Sequence, residues 1–196
     1  MGHMLVLYKN LENVPIMSLQ NGGKLGLAQH PIIDPRKLQI IAYYASGPRI
    51  HSESVIHTSD IREYGPLGFI VNNADDIMEV SEDLVRLNEV IGFHFNLIGK
   101  MVIDEQKRKL GKVVDYAVDV DSFFIQKIHV GQSMFKNLTS SDLIINRAQI
   151  VEMNDRVIVV RSGAVQQQTG LTQVLNPFRK AQSPLTPSAE SSLDKK

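Results

Sequence analysis

The chain repeats itself, and that limits what it can fold into. Lys24-Leu25-Gly26 and Asp34 recur as Lys109-Leu110-Gly111 and Asp119, both 85 positions later (111 − 26 and 119 − 34). Ser52-Glu53-Ser54-Val55-Ile56 and Ile61-Arg62-Glu63 recur as Ser141-Asp142-Leu143-Ile144-Ile145 and Ile150-Val151-Glu152, now 89 positions later (152 − 63). One insertion of four residues in the second copy reconciles the two spacings. A copied sequence unit is ordinarily a copied structural unit, so the chain reads as two small related domains.

The first copy spans 14–71. Pro15 to Leu19 starts as a strand, Asn21-Gly22 supplies residues that tolerate the positive φ of a tight turn, and Lys24 to Ile33 returns as the partner strand. After Asp34-Pro35, Leu38 to Tyr44 is rich in β-branched and aromatic residues that suit a half-buried pleated surface. Ser54–His57, Asp60–Glu63 and Phe69–Val71 add short strand-like pieces, broken by Gly65-Pro66. Short strands at this spacing predict a small barrel. The second copy spans 95–160, with Leu97–Ile103 as its first strand and Gln106–Arg108 as the turn. Val113–Val118, Phe123–Val130 and Val157–Val160 follow.

Residues 72–94 read as a linker with a helix. Ser81 can cap its first turn, Glu82 and Asp83 suit the positive end, Leu84, Leu87 and Ile91 share one face, and Gly92 can end it. Residues 1–13 are a lead-in, of which Met1-Gly2-His3 reads as a cloning remnant before Met4. Residues 161–196 are a C-terminal extension; Gln166 to Val174 has marginal helical character, and from Ala181 the Ser, Pro, Lys and Glu content predicts disorder.

At 43% hydrophobic residues, 196 residues can build real cores. Twenty-one basic residues balance 21 acidic ones, so no global field draws the protein to nucleic acid or an anionic membrane. The absence of cysteine removes disulfides, thiol catalysis and thiolate metal sites, and suits a cytoplasmic protein. The longest apolar stretch, Val90–Ile103, carries His94, Asn96 and Lys100 and falls short of the ~20 residues needed to cross a bilayer.

The hairpin ending in Lys109-Leu110-Gly111-Lys112-Val113-Val114-Asp115 resembles the signature of the PRC-barrel family. The first copy keeps Gly23-Lys24-Leu25-Gly26 and Ser59-Asp60-Ile61-Arg62 but has Leu27-Ala28-Gln29 where the family signature continues. The resemblance implies a mainly β fold of two tandem small PRC-type β-barrels joined by a short helix. It also implies protein docking without an enzymatic activity. Members include the cytoplasmic domain of the photosynthetic reaction-centre H subunit and the C-terminal domain of a ribosome-maturation factor.

The residues themselves carry little chemistry. His30, His51, His57, His94 and His129 show no two-ligand metal spacing, so no metal or cofactor is expected. Gly22-Gly23-Lys24-Leu25-Gly26 lacks the Gly-Lys-Ser/Thr ending of a phosphate loop and reads as a hairpin turn. No Gly-x-Ser-x-Gly elbow occurs. Asp34 with Asp119, and Glu63 with Glu152, are pairs divided between the copies, which suits turn capping and solvated strand ends better than acid–base work. Lys107, Arg108, Lys109 and Lys112 cluster and form the candidate partner-contact patch. The expected function is a non-catalytic adaptor or scaffold for protein partners, working through barrel faces and the groove between copies. The alternative is a ribosome- or RNA-associated maturation factor.

Overall fold

Each copy begins with an antiparallel hairpin whose return strand is long enough to serve two neighbours, and the rest of the sheet is assembled on it. A computed structural model describes residues 4–51, 53–131, 143–163 and 166–167. In the first copy the hairpin is β2 (Val14–Ser18) and β3 (Lys24–Asp34). It is followed by β4 (Gln39–Ser46), β5 (Ser54–His57), β6 (Glu63–Gly65), β7 (Gly68–Val71) and β8 (Ile77–Glu79). The second copy comprises β9 (Met101–Asp104), β10 (Lys109–Asp119), β11 (Ile125–Gly131), β12 (Leu143–Asn146), β13 (Ile150–Met153), β14 (Val157–Val160) and β15 (Gln166–Gln167).

The strand orders are β6-β7-β2-β3-β4-β5-β8 and β13-β14-β9-β10-β11-β12-β15, identical position by position. Each sheet even places its one parallel pairing at the same point, β2 with β7 and β9 with β14. The insertion falls between β11 and β12, where 132–142 replaces the shorter 47–53 of the first copy. β8 pairs with β5, so part of the expected linker is a strand of the first sheet.

Among the described residues no pairing joins β6 to β8 or β13 to β15, and neither sheet closes on itself. The fold is mainly β, but the sequence expectation of closed barrels is not what the pairings show. Alternating burial is a local property that an open sheet and a barrel share; closure depends on whether the outer strands meet, which that alternation does not encode.

The two sheets share one core. Ile16, Ile40, Tyr43 and Phe69 of the first belong to the same buried cluster as Val102, Phe123, Ile125 and Ile158 of the second. The join is reciprocal: the Ile40 N–H donates to the Phe123 carbonyl and the Ile125 N–H to the Leu38 carbonyl, each at 2.9 Å. Leu38 and Phe123 occupy equivalent positions and both adopt positive φ, 49° and 56°. A positive φ is incompatible with an extended strand, so Phe123, expected to start one, sits in the turn before β11, in a region that bulky residues seldom adopt. Its ring lies 6.3 Å from that of Tyr43 and 6.0 Å from that of Phe69.

The lead-in is also structural. β1 (Leu5–Leu7) pairs with the end of β10, Tyr8 stacks on Tyr116 at 4.7 Å, and Leu11 is fully buried. α1 (Val85–Gly92) confirms the expected stripe, burying Leu87 with Leu84 and Ile91 packed beside it. Its start differs from expectation. Leu84 is the N-cap, while the Ser81 carbonyl accepts from the Leu84 N–H and the Asn88 amide.

Candidate functional site

The β9–β10 hairpin places the basic cluster, and a buried carboxylate fixes its shape. Asp104 closes β9 with almost no exposure; its Oδ1 accepts from the Arg108 N–H at 2.9 Å and its Oδ2 from Arg108 Nε at 2.5 Å. Burial alone would raise the Asp104 pKa. The two hydrogen bonds and the charge of Arg108 outweigh it and hold the carboxyl below its ordinary value. Arg108 is thereby anchored to the turn through its Nε, while its side chain stays 70% exposed beside the lysines of the expected partner-contact patch.

Lys107 takes the tip at φ 64°, the place held by Gly22 at φ 67° in the first copy. Lys109 pairs across from Ile103, and Gly111 from Val102, so Leu110 is the extra residue of a β-bulge. For that reason Leu110 is only partly buried, packed against the edge of the core. Gly111 is required there: a Cβ would lie 2.2 Å from the Gly131 carbonyl oxygen. The equivalent Gly26 pairs with Ile16, leaves Leu25 out as the bulge, and would place a Cβ 2.4 Å from the Ser46 carbonyl oxygen.

On either side of the bulge, Lys109 and Lys112 stand on the outer face of the sheet, because Val102 and Val113 point into the core. A groove of about 740 Å³ runs between Lys109, Leu110, Lys112, Met101 and Val114, the last 51% exposed. Among the described residues Lys107, Lys109 and Lys112 have no ion-pair partner. The arrangement offers cations beside apolar contact surface.

A second cleft of about 590 Å³ lies between the copies. Ile41, Met78, Leu84 and Leu87 of the first copy face Asp121 and Phe123 of the second. Here His57 Nδ1 lies 2.7 Å from Ser59 Oγ. The pair is local, since the same nitrogen accepts the Ser59 N–H at 3.3 Å and caps the short 3-10 turn Thr58–Asp60. Sequence reasoning missed this contact, which two residues of spacing alone do not signal.

The other residues weighed from sequence do not converge. Asp34 and Asp119 cap turns as expected: Asp34 Oδ1 accepts the Arg36 N–H and Asp119 Oδ1 the Asp121 N–H. Glu63 and Glu152 are exposed on separate sheets. Among the described residues no group of three His, Asp or Glu side chains could hold a metal ion. No helix of the described residues is long and apolar enough to cross a membrane. Compared with the models of known protein families and with curated proteins, the chain matches none.

Proposed function

We propose that the chain is a non-catalytic cytoplasmic adaptor, two PRC-type units that dock protein partners on their sheet faces. The observation that carries this reading is the outer face of the second sheet, where Lys109 and Lys112, without an ion pair among the described residues, border Met101, Leu110 and Val114. Cations set around an apolar patch suit a partner that brings carboxylates and apolar anchors together. The ribosome- or RNA-associated reading would use the basic cluster Lys107, Arg108, Lys109 and Lys112. It expects a different signature: phosphate neutralisation makes affinity fall steeply with salt, by close to one power of concentration per phosphate contacted.

The test is a Lys109→Glu, Lys112→Glu double variant with an unchanged thermal midpoint. It should lose protein partners that the native chain retains through a moderate salt wash. Equal retention by both proteins would remove this face as the docking surface. Strong, salt-steep binding of single-stranded RNA by the native chain, lost in the double variant, would favour the RNA reading. Asp119→Asn, Glu152→Gln and His129→Gln should leave partner binding nearly unchanged; if one of them abolished function in a folded protein, the non-catalytic reading would be wrong.

A further inference from the structure

α1 belongs to the first unit. It comes after β8, and its Leu87 and Val90 cover Ile32, Ala42 and Val55 on the face of the sheet turned away from the shared core. The counterparts of those three residues in the second sheet, at the repeat spacings, are Ala117, Lys127 and Ile144. Val55 is fully buried, whereas Ile144 is only half-buried. Beside this face lies a groove of about 500 Å³ lined by Leu5, Gln126, Lys127, Asn146, Arg147 and Asp119. Gln126, Asn146 and Arg147 are the repeat equivalents of Ile41, His57 and Thr58, which line the cleft walled by Leu84 and Leu87 of α1. The second groove therefore corresponds to the first with its helical wall missing.

The chain continues past β15, and the segment beyond it carries a match to α1. Leu171, Val174 and Phe178 repeat the three-then-four spacing of Leu84, Leu87 and Ile91 at a constant 87 positions (171 − 84, 174 − 87, 178 − 91), and Leu175 widens the stripe. The charges are not copied one for one, since the counterpart of Glu89 is the uncharged Asn176. Arg36, on the turn after β3, bonds Glu89 of α1 at 2.7 Å and lies 5.1 Å from the Phe93 ring centroid. The counterpart of Arg36 is Asp121, exposed and without an ion pair among the described residues. The counterpart of Phe93, at the spacing of 87, is Lys180. The turn has exchanged a cation for an anion, and the sequence has a cation where α1 is followed by Phe93.

We propose that Leu171–Lys180 docks in cis on the second sheet as the counterpart of α1. Leu171, Val174 and Leu175 lie toward Ile144 and the groove, and Lys180 reaches Asp121. Pro177 lacks the N–H of a helix interior, so the ordered contact is shorter than that of α1. The surface differs from the lysine face of the proposed adaptor function and stands independently of it.

Amide hydrogen exchange on the full chain tests the assignment. The amides of Val174 and Leu175 should exchange about tenfold or more slowly than coil rates, the mark of a locally ordered segment. Leu171→Asp with Val174→Asp should abolish that protection and speed exchange at Ile144, leaving Ile16 in the first sheet unchanged. Asp121→Lys and Lys180→Asp should each weaken protection, and the two together should restore it. Coil-rate exchange across the segment in the native chain, or failure of the charge swap to restore protection, would overturn the proposal. Protection that rises with protein concentration would place the segment on a second copy and overturn docking in cis.

Discussion

The two units have the same strand order, yet they diverge at many positions where a side chain faces outward. Both keep a glycine opposite the bulge, an aspartate before the turn and a buried isoleucine after it: Gly26 and Gly111, Asp34 and Asp119, Ile40 and Ile125. These positions answer to backbone geometry and core volume, which a duplicated unit must preserve. The outward positions answer only to solvent and partners. Gly22 at one hairpin tip is Lys107 at the other, and Ile41 on the outer face of β4 corresponds to Gln126 on β11. Where the copies agree, the fold explains the residue; where they differ, function has the freedom to.

The sharpest way to break this comparison is to ask whether the units fold alone. Ile40 and Ile125 are both fully buried and sit at the reciprocal join. Ile40→Ala and Ile125→Ala should each cost about 2–5 kcal/mol. Because one core spans both sheets, each should lower a single cooperative transition for the whole chain in chemical denaturation. Two separable transitions, with each substitution moving only one, would show two independent domains. Leu110→Ala, at the bulge, should cost clearly less than Ile125→Ala.

Next come the paired glycines. Gly111→Ala sets a Cβ against the Gly131 carbonyl and forces alanine to φ 144°, whereas Gly26→Ala meets the Ser46 carbonyl without a positive-φ penalty. Strain at such sites runs about 1–3 kcal/mol each, so both variants should lose stability and Gly111→Ala should lose more. Denaturant midpoints for the two proteins decide it, and equal losses would mean the φ penalty is relieved by local adjustment.

Much of this architecture was legible because repetition does not depend on knowing any contact. The spacings alone placed Gly26 opposite Gly111 and located the insertion, and the three-four periodicity found the face of α1. What stayed hidden was non-local. Nothing in Leu5–Leu7 announces that it pairs with a strand more than a hundred residues away, and nothing around Phe123 distinguishes a strand start from a strained turn held by Ile40. Of the candidate site, the lysines were legible as a charge run. The anchoring of Arg108 within it was not, because Asp104 is buried only once β9 and β10 pair.

A smaller effect separates the aromatic centres of the units. The Tyr43 hydroxyl is fully buried and, among the described residues, finds no hydrogen-bond partner. Burial raises its pKa far above the ordinary phenol value, so it stays protonated at any working pH. An unmet buried hydroxyl costs about 1–3 kcal/mol of desolvation, and Tyr43→Phe keeps the ring that packs on Phe69 and Phe123. The variant should match or exceed native stability. A loss of more than about 1 kcal/mol, the typical net worth of one hydrogen bond, would reveal a bridging water in the core.

The smallest expected effect lies on the acid limb of stability, where each unit contributes one buried aspartate held by an arginine. Burial works against the charge of Asp34, but Arg36 donates from its N–H and its Nε, both at 3.0 Å, and the carboxyl is held below its ordinary value. Asp104 is held down in the same way by Arg108. A carboxyl whose folded pKa lies below its unfolded value, about 3.9, stabilises the fold fully above that pH. That contribution is lost as pH falls through the folded pKa. Arg36 is half exposed, so screening limits its ion pair to about 0–1 kcal/mol. Asp34→Asn and Asp104→Asn should therefore each flatten the decline of the urea midpoint below about pH 4, with the difference from native shrinking in high salt. An Asp34→Asn profile parallel to native from pH 7 down to pH 2 would mean that the hydrogen bonds and charge of Arg36 favour the carboxylate no more in the folded chain than water does in the unfolded one.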